Sequence, residues 1–503
     1  MNENIQSLLE KYQKIRDQKN ADAFIDFLIS WDSQTEAPSG CFDQRAKQMQ
    51  VIGERSYSYN TSPEVTEVIE KLYACRSELD EVTAHEITEA KKNIDQMKKI
   101  PMDLYVQMTG IFAKSEYIWA NAKTNNDFEM FKPVLNEIVD CTRKYVDCLK
   151  TDKLVGYNVL LDQYETGMTI EKYDKFFDLL KEKLVPFIKK VTETKLVFND
   201  SFLKEKYPKE TQKLAMEYIQ DIMCFDRNHG IIKESEHPFT SGFGTDDVRF
   251  TVHYYEDLPL SAIFSAIHEL GHATYESQVN PILNSTLSCG GASMAMHESQ
   301  SRFYENIVGR SYEFWETHFP KIKEIYAKQM KDTTLDDFVK AINTVEKSLI
   351  RTEADELTYP IHIMIRYDIE KALFDGNLEV EDLPKVWNQK VKEYLGIDVP
   401  NDTLGVLQDV HWAGGSFGYF PTYALGSAYA AQIFNAMKKD LDIKKALSEE
   451  TTKDINEWLK SHIHTYGATK YPLDILKLAT NEDFNPQYYI DYLIEKYTKI
   501  YNI

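Results

Sequence analysis

The residues best able to do chemistry stand together at Ile267-His268-Glu269-Leu270-Gly271-His272. Histidines at i and i+4 share one face of a helix about one turn apart, so both imidazoles can reach a single ion. Glu269 points slightly aside, placed to take a proton from a water at that ion. A catalytic ion of the zinc type takes three protein ligands and keeps one position open. Glu298 is read as the third ligand, after 25 intervening residues that finish one helix, turn and enter another. Glu276 lies one turn further along the first helix and suits an orienting role. His297 competes with Glu298, but adjacent helical positions point about 100° apart, so only one of them can be a ligand.

The flanking sequence must hold this cluster in place. Asp257-Leu258-Pro259 reads as a cap and first turn, and Ile263, Phe264, Ile267 and Leu270 give the motif helix its apolar side. Before it, Val248, Phe250, Val252 and Tyr254 alternate within 248–255 and read as an edge strand that could pair with an extended peptide. After it, Gly290-Gly291 permits close approach, and 292–303 reads as the helix carrying Glu298. Residues 335–375 read as one helical stretch interrupted near Pro360, and 405–423 as a loop rich in glycine and aromatics, with helices resuming from about Ala424. From Ile5 to about Phe225 charged and apolar residues recur at helical spacing, as in 84–99, 170–197 and 211–225, broken by Pro101, Pro133, Pro186 and Pro208.

With 503 residues, 43% of them apolar, and neither a strand–helix alternation nor a repeat, the chain reads as one mainly helical domain. A motif-free half, 1–226, precedes the half with the chemistry, 227–503. A net charge of −22 argues against nucleic acid and anionic membranes as partners. The N-terminal stretch lacks the basic start and apolar run of a signal peptide, and no run of 18 apolar residues suggests a membrane span. Six scattered cysteines fit free thiols in a reducing cytoplasm.

Six segments in order make the chain resemble the thermostable-carboxypeptidase family, peptidase family M32. They are His237-Pro238-Phe239, Asp247 to Thr251, His268 to His272, His297-Glu298-Ser299-Gln300, Ile350 to Asp355, and Gly405 to Trp412. They cover the C-terminal half; the N-terminal half offers no segment that matches. The resemblance implies a large multi-helix ellipsoid of the gluzincin kind, with a deep groove and a small sheet edge beside the motif helix. It implies a homodimer that releases single residues from peptide C-termini, broadly but poorly at proline. In the family the metal ligands match His268, His272 and Glu298, and the general base matches Glu269. One Zn²⁺ per chain is expected, with Co²⁺ or Mn²⁺ as substitutes.

A tetrahedral oxyanion needs a donor, and His411, Tyr419 and Tyr423 in the glycine-rich loop are the candidates. A free C-terminal carboxylate is best met by an arginine fork, for which Arg351 and Arg249 are the candidates. Gln408 and Asp409 would orient such groups. A metallo-oligopeptidase cutting internally, or a peptide-binding scaffold without catalysis, are the alternatives. A blocked C-terminal amide separates the first, and the presence of both histidines and both glutamates speaks against the second.

Overall fold

The structure is a computed structural model that describes residues 3–194 and 196–503. Helices dominate, and their boundaries follow local chemistry. Asp80 opens the helix Glu81–Lys99 by accepting from the Thr83 amide, and Asp127 opens Phe128–Leu149 by accepting from Met130. Pro101 and Pro208 stand just before helices, as their missing amides allow. Pro133 and Pro186, expected as breaks, instead lie inside the helices Phe128–Leu149 and Ile170–Thr192. Continuous apolar stripes explain this: Phe131, Val134, Leu135 and Ile138 in one, Phe176, Leu180, Leu184 and Ile188 in the other, are all buried. Their packing outweighs the roughly 3 kcal/mol that an internal proline costs.

The expected edge strand is in fact central. Strand β3, Val248–Val252, pairs in parallel with β1, Gly230–Glu234, and antiparallel with β2, Thr240–Gly242. Val248, Phe250, Thr251 and Val252 are buried, so side chains on both faces are covered, as in a central strand. The strand bordering the site is β2.

The motif helix spans Ser261–Gln278 and starts after the expected cap; Leu260 at its N-cap gives no side-chain bond. Burial of Ile263, Ala266, Ile267, Leu270 and Ala273 holds it instead. The glutamate helix, Met294–Arg302, begins at Ser293, whose hydroxyl accepts from the Met296 amide, and runs into a π-helical turn at Phe303–Val308. A Cβ on Gly271 would lie 2.7 Å from the Ser301 Cα, so only glycine lets these helices approach so closely. Gly426 does the same for the helix Phe420–Met437, where a Cβ would sit 2.8 Å from the Glu298 Cβ.

Two further boundaries differ from expectation. The stretch 335–375 resolves into Leu335–Ala341 and Tyr359–Phe374, with Arg351 in the connection and Pro360 in the first turn of the second helix. The glycine-rich loop ends at Tyr419, so Tyr423 lies on the first turn of Phe420–Met437. One large apolar core runs through most of the chain, and a smaller one joins Leu8, Tyr12, Ile15, Val65, Val68, Ile69, Leu72 and Ile87 near the N-terminus.

Candidate metal centre

His268, His272 and Glu298 offer ligand atoms that all lie within 4.8 Å of one another. The Nε2 atoms of both histidines stand 3.7 Å from Glu298 Oε2. Tetrahedral coordination with bonds of about 2.0–2.2 Å sets ligand atoms about 3.3–3.6 Å apart, so the triad fits a zinc-type ion with little movement. The helix pitch supplies the histidine pair, and Glu298 is brought in by the close contact at Gly271.

Each of the three side chains is held from behind in a fixed orientation. His268 Nδ1 lies 2.9 Å from Glu305 Oε2, which leaves Nε2 facing the centre. His272 Nδ1 meets His297 Nδ1 at 2.6 Å, and His297 Nε2 meets Glu276 Oε1 at 2.6 Å. Arg302 Nε donates to Glu298 Oε1 at 2.7 Å and its Nη1 to Glu305 Oε2 at 3.2 Å, so Glu298 shows its other oxygen to the histidines. Burial opposes charge on both imidazoles. At His268 the Glu298 and Glu305 carboxylates outweigh it and raise the pKa; at His272 burial and the neighbouring His297 push the pKa well below the ordinary value. Burial opposes charge on Glu305 too, but Arg302 and His268 hold its carboxyl far below the usual range.

Glu269 is buried beside this triad, and burial raises its pKa. The Thr240 hydroxyl on β2 lies 2.6 Å from Glu269 Oε2 and 2.9 Å from the Glu269 carbonyl oxygen. Glu269 is thus held at one oxygen by β2 while lining the same cavity as His272 and Glu298.

Two cavities meet here. One, about 1040 Å³, is lined by Thr240, Glu269, His272, Glu298, Tyr419 and Tyr423, and extends to Lys19, His85 and Glu89 of the N-terminal half. The other, about 700 Å³, is lined by His268, Glu298, Arg302, Arg351, Tyr359 and Tyr423. Glu298 and Tyr423 belong to both. Burial pushes the Tyr423 phenol well above its ordinary pKa, so it stays a proton donor.

The remaining candidates fall in different places. Arg351 Nε and Nη2 donate to Asp409 Oδ1 at 3.0 Å, and its Nη1 points toward the Tyr359 hydroxyl at 3.4 Å. Gln408 stands behind it, its Oε1 accepting from the Arg351 backbone amide at 3.1 Å. His411 is not among the residues lining either cavity; its Nε2 lies 3.5 Å from the Tyr423 hydroxyl, and burial takes its pKa down to about 4. Tyr419 stacks edge-on to Tyr423, with centroids 5.1 Å apart. Arg249 is not brought to the site: on central strand β3 its fork grips Asp247 at 2.6 and 2.7 Å and packs over Phe27 and Trp31. Thr240, Arg302 and Glu305 were not singled out by sequence reasoning. Glu298, Arg302 and Glu305, at i, i+4 and i+7, form a charged stripe that helical spacing does reveal.

A buried H-E-x-x-H helix, a glutamate from a second helix and a long groove at their junction define a metallopeptidase. The chain belongs to the Carboxypeptidase Taq (M32) metallopeptidase family, whose family model matches residues 7–497. Carboxypeptidase 1 of Bacillus subtilis is 43% identical over 475 residues, covering 94% of this chain and 95% of that protein. Thermostable carboxypeptidase 1 of Thermus thermophilus is 34% identical over 485 residues, covering 94% and 95%. The crystal structure of an M32 carboxypeptidase from Deinococcus radiodurans R1 superposes with a TM-score of 0.93 at 29% identity, covering 100% of both chains. The chain is therefore a metal-dependent carboxypeptidase. The likeness extends through the N-terminal half, beyond the C-terminal segments that first carried it, because helices that only pack tolerate exchange of one apolar residue for another and leave no short motif.

Proposed function

We propose that the enzyme releases single residues from the free C-terminal end of peptides at one zinc-type ion per chain, held by His268, His272 and Glu298. The observation that carries this is the pair of Nε2 atoms at equal distance from Glu298 Oε2, with buried Glu269 beside them. Zn²⁺ suits two imidazoles and a carboxylate, and Co²⁺ or Mn²⁺ can take the same donors. A bound ion of this kind polarises a carbonyl oxygen and lowers the pKa of water toward about 7.

The chain's own groups do the rest. Glu269 takes a proton from the attacking water and returns it to the leaving amine, and its raised pKa suits both steps. Thr240 keeps the carboxylate turned to one position. An extended peptide lies in the larger cavity alongside β2, an outer strand of the sheet, and ends in the smaller one. There Arg351, steadied by Asp409, receives the terminal carboxylate. The Tyr423 hydroxyl, at the junction of the cavities, donates to the oxyanion, and His411 steadies that hydroxyl from behind.

The volume of the smaller cavity supports broad acceptance of the terminal residue, and the family resemblance supports weak action at proline and a homodimer. Six free cysteines support a cytoplasmic setting, and no helix among the described residues is long and apolar enough to cross a membrane. The test is metal content and turnover of two variants. Glu269→Gln keeps one ion per chain and loses at least about 1,000-fold in kcat, whereas Glu298→Ala loses both ion and turnover. Stoichiometric metal in Glu298→Ala would move the third ligand to His297 or Glu276.

A further inference from the structure

The helix Tyr359–Phe374 sets Arg366 and Glu370 one turn apart, and neither has any solvent exposure. Both reach the loop that leads to Tyr423. Arg366 donates from Nε to Asp409 Oδ2 at 2.7 Å and from Nη2 to Gln408 Oε1 at 2.8 Å. Glu370 accepts from the Trp412 indole at 2.7 Å through Oε1, and from the Gly418 amide at 2.8 Å and the Tyr157 hydroxyl at 2.6 Å through Oε2. The arginine thus grips the loop just before His411, and the glutamate grips it on the far side of His411 at two points.

What lies between those grips is His411, and Gly418 leads directly into Tyr419 and the helix turn carrying Tyr423. The Gly418 end is close-packed as well: a Cβ there would lie 2.8 Å from the Leu160 backbone, and its φ is +90°, so only glycine suits the position. A fully buried carboxylate with three donors cannot lose one without leaving that donor unpaired. We infer that Glu370 is a positioning residue, which places His411 and the Tyr423 hydroxyl by holding the loop at Trp412 and Gly418. Arg366 serves the other end and acts through Asp409 on Arg351. The two charges of one helix therefore separate two jobs, the catalytic donor on one side and the carboxylate anchor on the other.

Substitution chemistry makes this testable. In Glu370→Gln the amide nitrogen replaces one oxygen. If it stands at Oε1 it meets the Trp412 N–H, and if at Oε2 it meets the Gly418 N–H; neither backbone amide nor indole can accept, so one loop anchor fails in either orientation. Tyr157→Phe removes a donor to the same carboxylate that is not part of the loop.

The experiment measures kcat, KM, bound metal and Tm on a short free-acid peptide. Glu370→Gln is expected to lower kcat about 10- to 100-fold with KM within about twofold and one ion per chain, since misplacement by 1 Å has effects of that size. Tyr157→Phe is expected to keep kcat within about twofold. An unchanged kcat in Glu370→Gln, or a rise in KM alone, overturns the assignment. Should Glu370→Gln fail to fold, Trp412→Phe replaces it. A kcat loss in Trp412→Phe that Tyr157→Phe lacks at equal Tm supports the assignment, and equal losses overturn it. The inference rests on the Tyr423 hydroxyl, steadied by His411, acting at the carbonyl. If Tyr423→Phe and His411→Ala both keep wild-type kcat, that reading fails and takes the clamp with it; if they fall while Glu370→Gln does not, the clamp alone is wrong.

Discussion

Replacing Arg351 by alanine tests how the enzyme recognises a chain end. The Arg351 side chain is 9% exposed, so a carboxylate paired with it is largely out of water. Truncating one partner of such a pair costs about 2–5 kcal/mol, much of it from leaving the other charge buried and alone. At about 1.4 kcal/mol per factor of ten, kcat/KM for free-acid peptides should fall by about 30- to 4,000-fold. The fold should survive, because Asp409 keeps Arg366 at 2.7 Å and is not left unpaired. Arg351→Lys should recover little, since an ammonium lacks the planar fork. The assay is steady-state hydrolysis of two peptides that differ only in a C-terminal acid or amide. Wild type should strongly prefer the acid, and Arg351→Ala should lose most of that preference. An equal loss on both peptides, or a loss below about threefold on the acid, would refute carboxylate anchoring by Arg351.

Glu305→Gln, which weakens the hold on His268 Nδ1, should lower metal affinity by about 10- to 100-fold, read by competition with a chelator. Arg249→Ala should leave the acid–amide preference intact while lowering stability by about 1–3 kcal/mol in urea unfolding, because Arg249 joins Asp247 to Phe27 and Trp31. Glu165 is fully buried, accepts from Ser293, Ala295 and Tyr429, and burial raises its pKa to about 7. The folded chain therefore binds more protons than the unfolded chain between about pH 4.5 and 7, so this group's contribution to stability falls as pH rises through that window. Glu165→Gln should flatten that part of the stability profile in urea titrations at several pH values; an unchanged slope would assign it elsewhere.

His268, Glu269 and His272 are legible in sequence because helix geometry alone brings i and i+4 together. Glu298 is legible only as a choice among near neighbours, since what selects it is the contact of Gly271 with the next helix, a long-range fact. Burial on both faces turned the alternating segment 248–252 from an expected edge into the sheet's centre, and the short strand beside Glu269, Thr240–Gly242, has too few residues to show a period. Pro133 and Pro186 look like breaks because local propensity says nothing of the core that overrides it. Arg351 and Arg249 read alike in sequence; only tertiary packing sends one to the cavity and the other onto Asp247 and two aromatics. Glu370, remote from His411 in the chain and without a short motif of its own, could not be linked to it before the fold was known.

The most direct test is mass spectrometry of a peptide, with a free C-terminal acid or its amide, incubated with the enzyme, with the enzyme and a chelator, and after Zn²⁺ is restored. A metal-dependent carboxypeptidase built on His268, His272, Glu298 and Glu269 should give a ladder of single-residue losses from the C-terminus of the acid. The amide should stay intact, the chelator should stop the ladder, and Zn²⁺ should bring it back. Internal fragments, comparable cleavage of the amide, or a ladder that persists in chelator would contradict the account.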